Sequence, residues 1–381
     1  MFTGTRAEYG LLRSLMEEIK KDKDLHLQIV VSGMHLSPEF GLTYKEIEKD
    51  GFRIDEKSKI LSDSDTPEGL CKAIGSGLTN FSRIFKKLKS DIIVILGDRF
   101  EAFAAAQAAM VLRIPVAHIH GGEATYGLID EAIRHSISKM SHLHFTSTDE
   151  YRKRVIQLGE DPERVFNVGA IGIDNIKKMK LLSKREIEKE LGFKFGKRNL
   201  LVTFHPVTLE KNTSKKQFQK LLKVLDGLDG THIIFTKANA DTDGRVINKM
   251  IDMYVSGNFR KAVAFRSMGQ LNYLSTMRFV DAIVGNSSSG IIETPSFKMG
   301  TINIGDRQSG RIRAKSVIDC EPTKQSIKKA LKKLYSEDFL KDLKKIKNPY
   351  GNGNTAKRIK IILKKQDTSD ILKKQFFDIS F

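Results

Sequence analysis

Cysteine is nearly absent: the 381 residues hold two, Cys71 and Cys320. They stand far apart, which excludes a disulfide scaffold and a zinc site of paired cysteines, and fits a reducing, cytoplasmic compartment. Long apolar runs are missing as well. The best candidate, Ala102 to Ile119, is broken by Gln107 and Arg113, so nothing reaches the roughly 20 apolar residues of a membrane span. The opening MFTGTRAEYG lacks a basic-then-apolar secretory pattern, and neither a solenoid-period repeat nor a long low-complexity tract occurs. Carboxylates are outnumbered, 46 Asp and Glu against 65 Lys and Arg, for a net charge of +19. Such an excess suits nucleic acid, an anionic membrane or a phosphate-bearing ligand. The lysines argue against the first two, being scattered over helical faces without an aromatic-interleaved stripe. They are densest in SIKKALKKLYSEDFLKDLKKIK (326–347), where Ile327, Leu331, Leu334 and Leu343 predict the buried stripe of one amphipathic helix.

With 40% hydrophobic and 29% charged residues the composition is globular, and the length suits two domains. A short β-branched run, a polar or glycine-rich turn and a helix-period segment recur along the chain, which predicts an α/β fold. The runs are LHLQIVVSG (25–33), DIIVILGD (91–98), PVAHIHGG (115–122) and LHFTST (143–148), then NLLVTFHP (199–206), HIIFTKAN (232–239), VDAIVGN (280–286) and GTINIGD (300–306). Several are apolar on both alternating faces, as parallel strands covered by helices must be. The charged helical stretch after GAIGIDN places a boundary near 175–185. We expect a Rossmann-like domain over 1–178, a second over 179–365, and a segment 366–381 whose aromatic end packs on a domain. The first βα unit should open on a hydrophobic strand, yet only Met1 and Phe2 precede Thr3, so that strand is either very short or truncated.

Ligands of parallel sheets bind at the carboxyl ends of strands, and there the polar residues gather: Arg6, Asp98 and Arg99, His120 and Glu123, His205, Asn239, and Asn286 to Ser289. GNSSSGIIE (285–293) combines close backbone approach, serine hydroxyls and a helix start, which suits a phosphate, although a serine-capped helix reads the same way. GDRQSGRIR (305–313) adds forked guanidiniums at Arg307, Arg311 and Arg313. GTRAEYG (4–10) resembles a phosphate-approaching turn but lacks the GxGxxG and GKS/GKT patterns, which counts against NAD and ATP hydrolysis. In HIHGGEATYGLIDE (118–131), His118 and His120 alternate onto one strand face, as do His142 and His144. A metal would need HExxH or another compact ligand set, and neither is present. Acid–base chemistry is the sharper reading, because Asp98, Glu123, Asp130 and Glu131 can meet from adjacent strand ends. His205, in HPVTLEKN, suits a leaving phosphate or a structural His-Pro corner.

GTRAEYG, LGDRFE, HIHGGE, DEAIRHSISKMSHLHFTSTDEY, FHPVT, VGNSSSGIIE and INIGDRQSGR, in this order, resemble the hydrolysing UDP-N-acetylglucosamine 2-epimerases of bacterial sialic acid synthesis, from about residue 3 to beyond 310. The resemblance implies a glycosyltransferase-B-like fold of two Rossmann-like domains whose parallel sheets face a central cleft. It implies conversion of UDP-N-acetylglucosamine and water to N-acetylmannosamine and UDP through a glycal, in a cytoplasmic homodimer or homotetramer. That scheme requires no metal and no other cofactor. Carried over residue by residue, the catalytic positions are Asp98, Glu123, Asp130 and His205, and the UDP contacts Arg6, Gly10, Arg99, Asn239, Val263, His205, Ser287, Ser288, Glu293 and Arg307. The nearest rival is the same reaction on a UDP-2,4-diacetamido-2,4,6-trideoxyhexose of the legionaminic acid type. A UDP-sugar glycosyltransferase of the same fold is a further rival, and the carboxylate cluster speaks against it.

Overall fold

The computed structural model describes residues 1–61, 66–207, 210, 213–238, 244–368 and 370–380. The chain forms two units. The first holds Met1–Glu123, Ile129–Lys177 and Tyr350–Phe381; the second holds Ala124–Leu128 and Lys178–Pro349.

In the first unit, strands β1 (Phe2–Thr3), β2 (Val30–Ser32) and β3 (Glu56–Ser58) form a parallel sheet in that order. Strands β4 (Ile93–Leu96), β5 (Val116–Ile119), β6 (Leu143–Thr146) and β7 (Val165–Asn167) form a second, also parallel. The two-residue β1 runs beside β4. All four β4 side chains are buried, and their alternation explains why the run is apolar throughout. Val94 and Leu96 enter one core with Leu12, Leu15 and Met16 of the helix Arg6–Lys20, while Ile93 and Ile95 enter the other with Phe81, Phe85 and Ala105.

Helix Thr355–Lys365 corrects the expected domain boundary. The sequence pattern assigns residues up to 365 to the second domain; instead the helix buries Ala356 and Ile359 in the same core as Leu12 and Met16. Asp174 fixes its start by accepting the Thr355 and Ala356 amides at 2.9 Å each, as a carboxylate at a helix N-terminus should. Lys360 and Lys364 reach Asp22 at 2.9 Å each. Beyond it, Ile371 is buried in that core, Phe377 N–H donates to the Gly159 carbonyl at 3.0 Å, and the Lys374 ammonium inserts against the buried Glu160 at 2.6 Å.

The second unit has one parallel sheet of six strands: β8 (Arg198–Thr203), β9 (Thr231–Thr236), β10 (Ala262–Phe265), β11 (Ala282–Gly285), β12 (Gly300–Ile304) and β13 (Val317–Cys320). Their spatial order is β10-β9-β8-β11-β12-β13. The winding therefore reverses between β8 and β11, where doubly wound sheets open a crevice at their carboxyl ends. Segment 326–347, expected as one helix, is two, Lys324–Leu334 and Glu337–Leu343, because the Ser336 hydroxyl takes the Phe339 amide and starts a new helix. Ile327, Leu331, Leu334 and Leu343 are nonetheless all buried in the core.

Candidate active site

At the end of β4, Gly97 turns the chain at φ +77° and delivers Asp98 and Arg99 to the start of helix Phe100–Val111. The imidazole of His118 on β5 anchors this turn, Nε2 to the Gly97 carbonyl at 2.7 Å and Nδ1 to the Ser138 hydroxyl at 3.1 Å. β5 ends at Ile119, and His120 already stands at φ +68°. His118 and His120 therefore do not share a strand face, contrary to the alternation read from the sequence. The Nε2 of His120 accepts the Ile171 amide at 3.3 Å, so its Nδ1 carries the proton and donates it to Glu123 Oε1 at 3.2 Å. The Ser147 hydroxyl meets the same oxygen at 3.1 Å. Gly122 permits this turn: a Cβ there would lie 2.3 Å from the Tyr151 carbonyl oxygen.

Asp130 is the first residue of helix Asp130–Met140. One turn on, Arg134 is buried to 1% exposure and binds three acceptors: the Asp98 carboxylate, Glu131 Oε2 at 2.7 Å, and the Glu123 backbone carbonyl at 2.8 Å. Burial works against its charge, but Asp98, Glu123 and Glu131 outweigh burial and hold the guanidinium protonated. Arg134 thus draws together Asp98, Glu131 and the turn carrying Glu123, and the sequence reading did not single it out. Its signal was the spacing in DEAIR, which puts Arg134 on the face of Asp130 and Glu131. Asp98 keeps 22% of its side chain exposed and Glu123 only 2%.

Histidines 142 and 144 serve the interior. His142 Nδ1 accepts the Val116 amide at 3.2 Å, and His144 Nε2 meets Glu160 at 3.0 Å. Burial lowers His118 to about 3 and His142 to about 4, so both are neutral at physiological pH. Arg99 Nε meets Glu101 Oε2 at 3.1 Å. Arg6 is the first residue of its helix, and Gly10 lies one turn inside, where its carbonyl accepts the Asn175 amide at 2.8 Å.

In the second unit the chemistry gathers at the winding reversal. The His205 amide donates to Asn286 Oδ1 at 2.7 Å, and Asn286 Nδ2 donates back to the His205 carbonyl at 2.8 Å, tying the ends of β8 and β11 together. The Asn286 carbonyl accepts from Gln308 Nε2 at 2.8 Å and Arg307 Nη1 at 3.2 Å. In the sequence Asn286 is only the start of the serine run, and nothing there marks Gln308. Ser287 Oγ accepts the Ser289 amide at 3.4 Å, Ser288 precedes the short helix Ser289–Ile292, and Tyr273 donates to Ser289 Oγ at 2.8 Å. Glu293 closes that helix. Val263 lies apart from this group on the edge strand β10, and Asn239 lies outside the described residues.

A family model described as UDP-N-acetylglucosamine 2-epimerase matches residues 17–364. The chain belongs to that family. This epimerase is 49% identical to a GDP/UDP-N,N'-diacetylbacillosamine 2-epimerase (hydrolyzing) of Campylobacter jejuni, over 99% of this chain and 98% of the relative. It is 39% identical to a polysialic acid biosynthesis protein of Escherichia coli, over 99% and 96%. The crystal structure of a UDP-GlcNAc 2-epimerase from Neisseria meningitidis bound to UDP-GlcNAc superimposes with a TM-score of 0.80 at 19% identity, over 96% of this chain and 99% of that one. The architecture is glycosyltransferase-B-like, and the chain is an enzyme of the nucleotide-sugar 2-epimerase family. Among the described residues no helix is long and apolar enough to cross a membrane.

Proposed function

We propose that this epimerase converts a UDP-linked 2-acetamido sugar and water to UDP and the free 2-epimer. The C2 proton leaves to a carboxylate, the C1–O bond to UDP breaks and a C1–C2 double bond forms. Water then gives hydroxyl to C1 and a proton returns to the opposite face of C2. The C2 proton is only weakly acidic, so departure of UDP runs ahead and positive charge builds at C1, where fixed carboxylates stabilise it. The observation that carries this reading is the gathering of Asp98, Glu131 and the Glu123 turn around Arg134, with Asp130 one turn away. Proton removal falls to Asp98 or Glu123, of which Asp98 is the more open, and Asp130 serves rehydration. His205, Ser287, Ser288, Glu293 and Arg307 in the second unit hold UDP, with Arg6, Gly10, Arg99, Asn239 and Val263 as further contacts. The tie between His205 and Asn286 at the winding reversal supports this nucleotide role.

For the sugar, the 49% identity with the diacetylbacillosamine enzyme favours a 2,4-diacetamido-2,4,6-trideoxyhexose. N-acetylglucosamine, leading to sialic acid, is the second reading, favoured by the family description and by the 39% identity with the polysialic acid protein. Both UDP-sugars, and the GDP form of the first, should be incubated in D2O and followed by NMR. Deuterium at C2 of a released sugar is expected, with the faster substrate naming the sugar; release without C2 deuterium would refute the elimination. The reading extends to a cytoplasmic homodimer or homotetramer without bound nucleic acid or metal, which light scattering and metal analysis of the purified enzyme test.

A further inference from the structure

Two buried carboxylic residues beside the end of β1 have no role in the reaction just described. Glu8 is 6% exposed and Glu101 0%. Oε2 of Glu8 accepts the Gly4 amide at 2.6 Å and the Thr5 amide at 3.2 Å, while the Thr5 hydroxyl takes the Glu8 amide at 3.3 Å, so the residue closes a capping box on helix Arg6–Lys20. A capping box uses one carboxyl oxygen. The other, Oε1, is buried with no hydrogen-bond donor of the protein near it. Glu101 packs against the same Gly4: a Cβ on that glycine would stand 3.1 Å from the Glu101 Cβ and 3.3 Å from its Cδ. A Cβ on Gly33, which ends the neighbouring strand at φ +58°, would come within 2.7 Å of Glu101 Oε1. Both glycines thus make room for this carboxyl group. Its Oε2 receives Arg99 Nε at 3.1 Å, and the Arg99 side chain is itself only 13% exposed.

The Glu8 carboxylate would bury Oε1 with no donor to receive. A second negative charge withdrawn from water costs several kcal/mol unless it is paired or protonated. The amides of Gly4 and Thr5 occupy Glu8 Oε2, so a proton on Glu8 belongs on Oε1, the oxygen that receives no donor. We propose that Glu8 and Glu101 form a buried acid pair holding one proton between them, and that through Nε of Arg99 this pair sets where the guanidinium stands at the end of β4. Arg99 as a UDP contact rests on the function proposed above; Glu8 and Glu101 are positioning residues behind it. Burial, and then Glu101 beside it, push the Glu8 carboxyl up to about 8, against Arg99 and the two amides. On the 3-10 turn that follows Gly33, burial holds His35 down at about 4, so it brings no charge. Near neutral pH the three groups then carry no net charge. Above about pH 8 the second carboxylate competes for Arg99 and draws it back.

The test is UDP binding by titration calorimetry, which does not depend on turnover. UDP completes its own ionisation near about pH 6, so the alkaline range reads the protein alone. Wild-type affinity should fall as pH rises through about 8, and Glu8→Gln, which keeps a donor and an acceptor in place, should move that fall upward by more than about one unit. Glu101→Gln should weaken UDP about 10-fold at neutral pH, and in turnover should raise KM far more than it lowers kcat. In the wild type a neutral-carboxyl infrared band should persist at about pH 7 and vanish at about pH 9.5, a readout that needs no variant to fold. An affinity unchanged in Glu101→Gln, an alkaline fall unmoved in Glu8→Gln, or absence of the band overturns the acid pair while leaving the proposed reaction standing. Wild-type protein that binds no UDP at all overturns the reaction and the pair together.

Discussion

Arg134→Met should both loosen the first unit and slow the reaction, and the structure sets the size of each effect. The methionine keeps most of the aliphatic volume and removes a guanidinium that binds two carboxylates and a backbone carbonyl at 1% exposure. Deleting one partner of a buried pair costs about 3–5 kcal/mol, because the remaining charges stay desolvated. Asp98 and Glu131 keep 22% and 23% of their side chains in water, which places the loss near the lower end, about 3 kcal/mol. For a unit of about 200 residues that lowers its melting temperature by roughly 6–12 °C. Asp98 would no longer be held to the turn of Glu123, and a displacement of about 1 Å costs on the order of 100-fold in kcat. Arg134→Lys should fall between, since one ammonium cannot serve three acceptors in fixed directions. Calorimetric melting with turnover at saturating substrate measures both. An Arg134→Met protein melting within about 2 °C of wild type, with kcat within about 3-fold, would refute the view that this arginine organises the site.

Asp98→Asn and Glu123→Gln should each lower kcat by about 100-fold or more while UDP affinity changes little; near-normal turnover in either removes that residue from the chemistry. Acid should destabilise the fold early. His118 and His142 are depressed to about 3 and about 4, so the unfolded chain takes up their protons near about pH 6.5 and the native chain does not. Denaturant unfolding should show several kcal/mol of stability lost between about pH 6.5 and about pH 4, and a flat profile there would contradict the buried neutral imidazoles. Gly285→Ala should unfold the second unit, because Gly285 stands at φ +136° and an added Cβ would lie 1.9 Å from the Thr203 carbonyl oxygen; soluble protein with wild-type UDP affinity would count against the tie between β8 and β11.

The strands that the apolar runs announce lie inside their sheets, save β4, which ends its own sheet but runs beside β1. The four that escaped, besides the two residues of β1, are the ends of their sheets: β3, β7, β10 and β13. An edge strand is partly in water and need not be apolar throughout, which accounts for EKS, VFN and VIDC but not for β10, whose AVAF is apolar at every position. The same physics governs the site. Asp98, Glu123 and His205 stood out because a charged or polar residue directly after a buried strand has no packing reason to be there. Arg134 did not, because an arginine in DEAIRHSISKM reads as part of a solvated helical face. Its burial comes from the end of β4, 36 residues earlier in the chain, and sequence spacing carries no trace of that approach. Glu8 was legible as a helix cap, while its second oxygen acquires meaning only once Glu101 is packed against Gly4.

The return of helix Thr355–Lys365 to the first core has a consequence for how the protein is made. Residues Lys178–Pro349 leave the ribosome as a nearly continuous unit and can close their six-stranded sheet while the chain is still growing. The unit synthesised first must wait, because Leu12, Met16 and Ile171 share their core with Ala356, Ile359 and Ile371, which follow the whole of Lys178–Pro349. Until those residues emerge, the part of the enzyme that carries Asp98 and Glu123 keeps an open apolar seam. A chain ending at Pro349 should therefore hold a folded second half and a protease-sensitive first half, and equal resistance in both would show that the seam closes without its last helix.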